Sequence, residues 1–217
     1  TSALELTGAS IQEKETCSIN SSLASKSHGT SVASILVSRN YGVAPDATLL
    51  TYLTGSRQDG DQPSSDCFDD TKHIKYGYAW LLNSAMNDGA QIINLSSSST
   101  SQENELKWAI ARSMAQGIII TASAGNEATD GNTTSLSQWS GVVGVSAIGI
   151  DDSRQDYSSW GQGVTTAAVG GPLVVHDYSS GQVRQVSGTS VSAPIVAGTL
   201  ALARQKWPNA TSNQLLQ

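Results

Sequence analysis

Positive charge is scarce in this sequence: 12 Lys and Arg stand against 18 Asp and Glu, for a net charge of -6 and a pI near 4.9. So acidic a chain has little with which to neutralise phosphate, which excludes nucleic acid and an anionic membrane surface as its main partners. Long hydrophobic runs are missing too, and no stretch approaches the ~20 residues that span a bilayer. Internal repeats and low-complexity linkers do not occur, so nothing marks a domain boundary. With 217 residues, 38% of them hydrophobic and 14% charged, the chain suits one domain over residues 1–217 around one large core. Only two cysteines are present, Cys17 and Cys67, which limits cross-linking to a single disulfide. Both lie in polar segments, 13–27 and 56–71, that read as surface loops; a bridge is the expectation and two free thiols are the alternative.

The low lysine content and the wealth of Ser, Thr, Asn and Gln fit a secreted or periplasmic protein. Five aspartates (Asp59, Asp61, Asp66, Asp69 and Asp70) crowd the segment 56–71, yet they lack the spacing of an EF-hand. No metal ligand set and no required cofactor are expected, and structural calcium is a candidate without a motif.

Apolar spacing after His28 alternates between strand and helix. Residues 31–37 carry apolar positions at helical spacing, 48–53 form a short buried strand, and 74–87 form a helix that ends before Gly89. Residues 90–95 are again a strand. Leu106, Ala109, Ile110, Ser113 and Met114 share one helical face, Gly117 stops that helix, and 118–122 form the next strand. Residues 142–150 and 164–169 add two more. Repeated βα alternation implies an α/β three-layer sandwich, with a mostly parallel central sheet and helices on both faces. Ligands in such sheets bind at the carboxyl ends of the strands.

The stretch Ser187-Gly188-Thr189-Ser190-Val191-Ser192-Ala193-Pro194 combines a small-residue turn with the start of an apolar helix. Gly188 permits a tight turn, Pro194 is tolerated near a helix start, and the free amides of the first turn can face an anion. Ser190 is the candidate nucleophile. It resembles the serine motif of the subtilisin-like serine proteases, the subtilases, and three further stretches match that family in order. His28-Gly29-Thr30 resembles its histidine motif, Val43-Ala44-Pro45 the motif that follows, and Ser123-Ala124-Gly125-Asn126-Glu127 its oxyanion-hole segment.

The resemblance implies a serine endopeptidase that works through an acyl-enzyme on Ser190. His28 would act as general base and then acid, and the Asn126 side chain would stabilise the tetrahedral oxyanion, roles known from subtilisin itself. His73 and His176 are expected to be solvated surface histidines. The substrate would be a polypeptide added as an extra strand along Ser96, Ser97 and Ser98, with Ser123, Ala124 and Gly125 on the other side. Serines stand where the family edge resembles Ser-x-Gly-Gly, which implies a narrower or more polar S1 pocket.

One motif departs from the pattern. No Asp followed by a small residue and Gly precedes His28. Glu5-Leu6-Thr7-Gly8 is the nearest match, but its distance to His28 is short, and residues 4–11 resemble the loop that follows the Asp. The strand carrying the Asp is therefore expected upstream of Thr1, supplied by an upstream segment or a second chain. The other possibility is that residues 2–6 fill its place in the sheet, with Leu6 or Glu5 beside His28. Trp207-Pro208-Asn209 resembles the approach to the family's closing helices, which are expected to be missing. The alternative to an enzyme is a pseudoprotease serving as a peptide-binding or regulatory module.

Overall fold

The computed structural model describes residues 3–14, 23–52, 68–69, 74–75, 77–97, 104–131, 136–176, 178 and 180–217. Cys17, Cys67, Ser98, His73 and the aspartate-rich segment 56–67 lie outside these residues.

The first elements are a 3-10 turn at Leu4–Leu6, strand β1 at Ile11–Glu13, helix α1 at Leu23–Val37 and strand β2 at Leu49–Thr51. Two short strands follow, β3 at Phe68–Asp69 and β4 at Ile74–Lys75, antiparallel to each other. Helix α2 is Tyr78–Asn87, β5 is Ile92–Leu95, α3 is Asn104–Ala115, β6 is Ile119–Ser123, β7 is Val142–Ile148 and β8 is Thr166–Val169. Strands β9 (Leu173–His176) and β10 (Val183–Val186) form a hairpin that leads into α4 (Thr189–Lys206), and α5 is Ser212–Leu215.

Strands β5 to β8 build a four-stranded parallel sheet in chain order, with Ile93 opposite Ile120, Thr121 opposite Val143 and Ser146 opposite Ala167. The apolar character of β6 and β7 follows from cover on both faces. Side chains alternate between the faces. Ile120, Ala122 and Val142 pack with Leu82 of α2 and Leu106, Ala109 and Ile110 of α3, whereas Ile119, Val143 and Val145 pack against Ala193 and Leu200 of α4. The α/β layering expected from the sequence is therefore present. Met114, expected on the buried face of α3, is instead 49% exposed at the end of that helix.

Three element boundaries differ from expectation. Helix α1 reaches back to Leu23, so His28 lies within it; Ser, Gly and Thr are weak helix formers, and packing of Ala33 and Val37 against Leu6 outweighs that weakness. The helix expected over 74–87 begins at Tyr78, because Ile74 and Lys75 belong to β4. The strand proposed for residues 2–6 is a 3-10 turn, so Leu4–Leu6 does not fill a place in the sheet.

That last point bears on the sheet as a whole. Strands β1 and β2 pair parallel, Ile11 with Leu49 and Glu13 with Thr51, but form a separate two-stranded sheet. Among the described residues nothing pairs with the second edge of β2 or the outer edge of β5. Every residue of both strands is half-buried, while all five residues of β6 are buried.

Candidate active site

Ser190 is the second residue of α4, directly after the turn at Gly188. Gly188 has φ 144° and ψ 160°, a region essentially reserved for glycine. A Cβ at this position would also lie 3.2 Å from Ser190 Oγ and 3.4 Å from Asn126 Nδ2, so the bare α-carbon leaves the hydroxyl and the carboxamide side by side. The Gly188 N–H donates to Gly170 O at 2.8 Å and to the Tyr157 hydroxyl at 3.1 Å, and that hydroxyl donates to Gly170 O at 2.7 Å.

Pro194 has no N–H for the carbonyl four residues earlier, which is that of Ser190. Ser96 Oγ takes up the vacancy, donating to Ser190 O at 2.9 Å. Ser96 Oγ in turn accepts from Asn94 Nδ2 at 2.9 Å, and Asn94 Oδ1 accepts from Thr121 Oγ1 at 3.0 Å. The backbone of Ser190 is thereby tied to β5 and β6. Ser97 Oγ is 2.6 Å from the Tyr78 hydroxyl.

Asn126 follows β6, whose end at Ser123, Ala124 and Gly125 is buried. Its Oδ1 accepts from the Thr189 N–H at 2.8 Å and from Thr189 Oγ1 at 3.0 Å, and Thr189 Oγ1 accepts from the Gly125 N–H at 3.1 Å. These bonds assign the amide orientation and leave Nδ2 as a pure donor on the Gly188 side, where Ser190 Oγ also lies. Thr189, fully buried, had no role in the sequence reading; its signal was its place between Gly188 and Ser190.

His28 comes from α1, which packs against α4. The residue as a whole is exposed, and its imidazole is partly shielded from water. Partial burial first, and the Arg184 guanidinium second, hold its pKa below 6.5. No carboxylate acts on it among the described residues.

Glu5, the carboxylate in the nearest match to the Asp motif, is 3% exposed and committed elsewhere. Its Oε1 lies 2.6 Å from His176 Nδ1 and also accepts from the His176 N–H. Two expectations fall together: His176 is a half-buried partner of Glu5 rather than a solvated histidine, and Glu5 is not a substitute beside His28. Among the described residues no group of three or more His, Cys, Asp and Glu side chains is placed to hold a metal ion.

A serine at a helix start after a glycine turn, near an oriented amide that follows a strand of a parallel sheet, is the arrangement expected of a serine-protease site. The chain belongs to the subtilase family, whose family model matches residues 9–217. It is 31% identical over 195 residues to the thermostable alkaline protease of Halalkalibacterium halodurans, covering 88% of this chain and 50% of that protein. Identity to subtilisin E of Bacillus subtilis is 28% over 223 residues, covering 96% of this chain and 52% of that protein. The chain thus spans about half the length of these relatives. A solved cold-adapted subtilisin-like serine proteinase shares the fold with a TM-score of 0.77 at 23% identity, covering 99% of this chain and 75% of that one. The prenylagaramide maturation protease PagA does so with a TM-score of 0.76 at 22% identity, covering 98% and 75%.

Proposed function

We propose that this chain acts in a serine endopeptidase and that Ser190, His28 and Asn126 carry its chemistry. Ser190 Oγ attacks the scissile carbonyl while His28 accepts its proton and later returns it to the leaving amine. Asn126 Nδ2 and the Ser190 N–H stabilise the oxyanion, which binds them more tightly than the ground-state carbonyl does. The observation that carries this reading is the pair of hydrogen bonds from Thr189 to Asn126 Oδ1, which leaves Nδ2 as the donor on the Gly188 side of the amide, where Ser190 Oγ also lies. The substrate is a polypeptide, held as an added strand near Ser96, Ser97 and Ser98 with Ser123, Ala124 and Gly125 opposite. No cofactor is required, and the fit of a secreted or periplasmic setting rests on composition.

An upstream strand completes the site in this proposal. It pairs with the edges of β2 and β5 that have no partner among the described residues, and it brings the carboxylate that orients His28. A second reading, a pseudoprotease that binds peptide without turnover, draws support from Arg184 as the charge acting on His28. Labelling with a fluorophosphonate separates the two. Modification of Ser190 in protein that includes the upstream strand, lost in His28→Ala, supports the enzyme; folded protein that never reacts supports the binding module.

A further inference from the structure

Arg184 lies on β10, six positions before Ser190, in register with the buried Val175 of β9. Its Nη2 donates to Ser31 Oγ at 2.9 Å and to Ser27 O at 3.4 Å. Ser31 Oγ donates to the same Ser27 carbonyl at 2.9 Å, and both serines are buried. One guanidinium edge therefore grips a single turn of α1, and His28 is part of that turn. The other end of the side chain is fixed in the strand that runs into the nucleophile.

We propose that Arg184 is a positioning residue of this site: it clips the strand leading to Ser190 onto the helical turn that carries His28, and it sets a fixed positive charge beside the base. This rests on the reading of Ser190 and His28 as nucleophile and base. A general base must meet the hydroxyl within hydrogen-bond reach, and a small misplacement at such a pair costs up to about a hundred-fold in rate. The clip joins the β10 strand to the α1 turn through one side chain. Its charge disfavours imidazolium and keeps the proton-accepting form populated to lower pH.

No other charge competes in that role on the 3-10 turn, β9 or α4, which pack on α1. The 3-10 turn offers Glu5 and β9 offers His176, which bind each other, with Tyr41 beside Glu5. Helix α4 carries its cations, Arg204 and Lys206, in its last turn.

The test uses Arg184→Gln and Arg184→Lys in protein that includes the proposed upstream strand. Two quantities are read: the titration midpoint of the His28 imidazole by NMR, and the rate of fluorophosphonate labelling at Ser190. Arg184→Gln is expected to raise the midpoint and to slow labelling about tenfold or more. Arg184→Lys retains the charge but not the planar fork, so the midpoint stays and labelling slows. Either readout unmoved in Arg184→Gln overturns the proposal, since a residue that merely packs would not shift the midpoint. Should Arg184→Gln fail to fold by circular dichroism, Arg184→Lys decides alone: slowed labelling at an unchanged midpoint supports the proposal, and any other pair of results overturns it. Folded unaltered protein that is never labelled sinks the protease reading instead, because the imidazole titration needs no turnover.

Discussion

Thr189 donates twice to one atom of Asn126, from its backbone N–H at 2.8 Å and its hydroxyl at 3.0 Å to Oδ1. The hydroxyl also accepts the Gly125 N–H, so one buried side chain fixes both the strand end and the direction of the amide. Thr189→Val keeps the volume and the backbone N–H bond to Asn126 and removes the two bonds made by the hydroxyl. Turnover should fall about tenfold through loss of orientation, with smaller change in KM. Asn126→Leu should cost more, about a hundred- to a thousand-fold, the range known for the same kind of donor in subtilisin itself. If kcat for peptide hydrolysis is unchanged in Asn126→Leu, the amide has no part in the oxyanion site.

Ser96 is predicted to matter for stability as well as for the cleft. Its hydroxyl occupies the acceptor left free by Pro194, at Ser190 O. Ser96→Ala leaves that carbonyl and Asn94 Nδ2 short of a partner and should destabilise the fold by about 1 to 3 kcal/mol. Urea unfolding measures this. A midpoint identical to that of the unaltered protein would mean that water replaces the hydroxyl at no cost.

The fold was legible where one rule governed the residues. Residues 118–122 announced a strand because a parallel strand covered on both faces is apolar throughout, and β6 is that strand. The four motifs were legible as local strings, and the structure brings two of them, those of Asn126 and Ser190, around Gly188. What escaped were relationships across distance in the chain. Glu5 meets His176 across 171 positions and Arg184 meets Ser31 across 153, and no periodicity links such pairs. Ile74 fits an apolar helical stripe as well as it fits a strand, which is why the start of α2 was misplaced. The 3-10 turn at Leu4–Leu6 has apolar residues at alternate positions, as a strand would, and only its packing on α1 decides between them.

The pH dependence follows from His28. Its folded pKa lies below the 6.5 of a free imidazole, so the neutral form persists below pH 6.5 and the acid limb of Ser190 labelling by this chain should fall below that value. The folded chain then binds fewer protons than the unfolded chain as pH drops. The stability associated with neutral His28 is full above pH 6.5 and is lost as pH falls through the folded pKa. A carboxylate brought beside the ring acts in the opposite direction and raises the midpoint. NMR titration with and without the upstream strand checks the sign. A midpoint that does not rise on its addition would show that no carboxylate reaches His28.

The open edges of β2 and β5 yield the strongest test. Leu49, Leu50, Ile92, Ile93 and Leu95 are apolar yet only half-buried, in strands that each have one edge with no described partner. Backbone groups along such edges and apolar side chains beside them are stabilised by a strand that pairs with both. A parallel strand in that position joins the two sheets into one and ends near the carboxyl ends of β5 and β6, where Ser96 and Ser123 lie. Protein extended upstream should therefore be more stable to urea than residues 1–217 alone, with a larger m-value because more surface is buried. It should also label at Ser190 far faster. Loss of the triad Asp in the serine-protease template costs about ten-thousand-fold in turnover, and replacing the strand's carboxylate by Asn should reproduce most of that loss while keeping the gain in stability. Separation of the two effects is the decisive outcome. If residues 1–217 alone label rapidly, and His28→Ala abolishes the reaction, a Ser–His pair is sufficient and the upstream strand has no catalytic part.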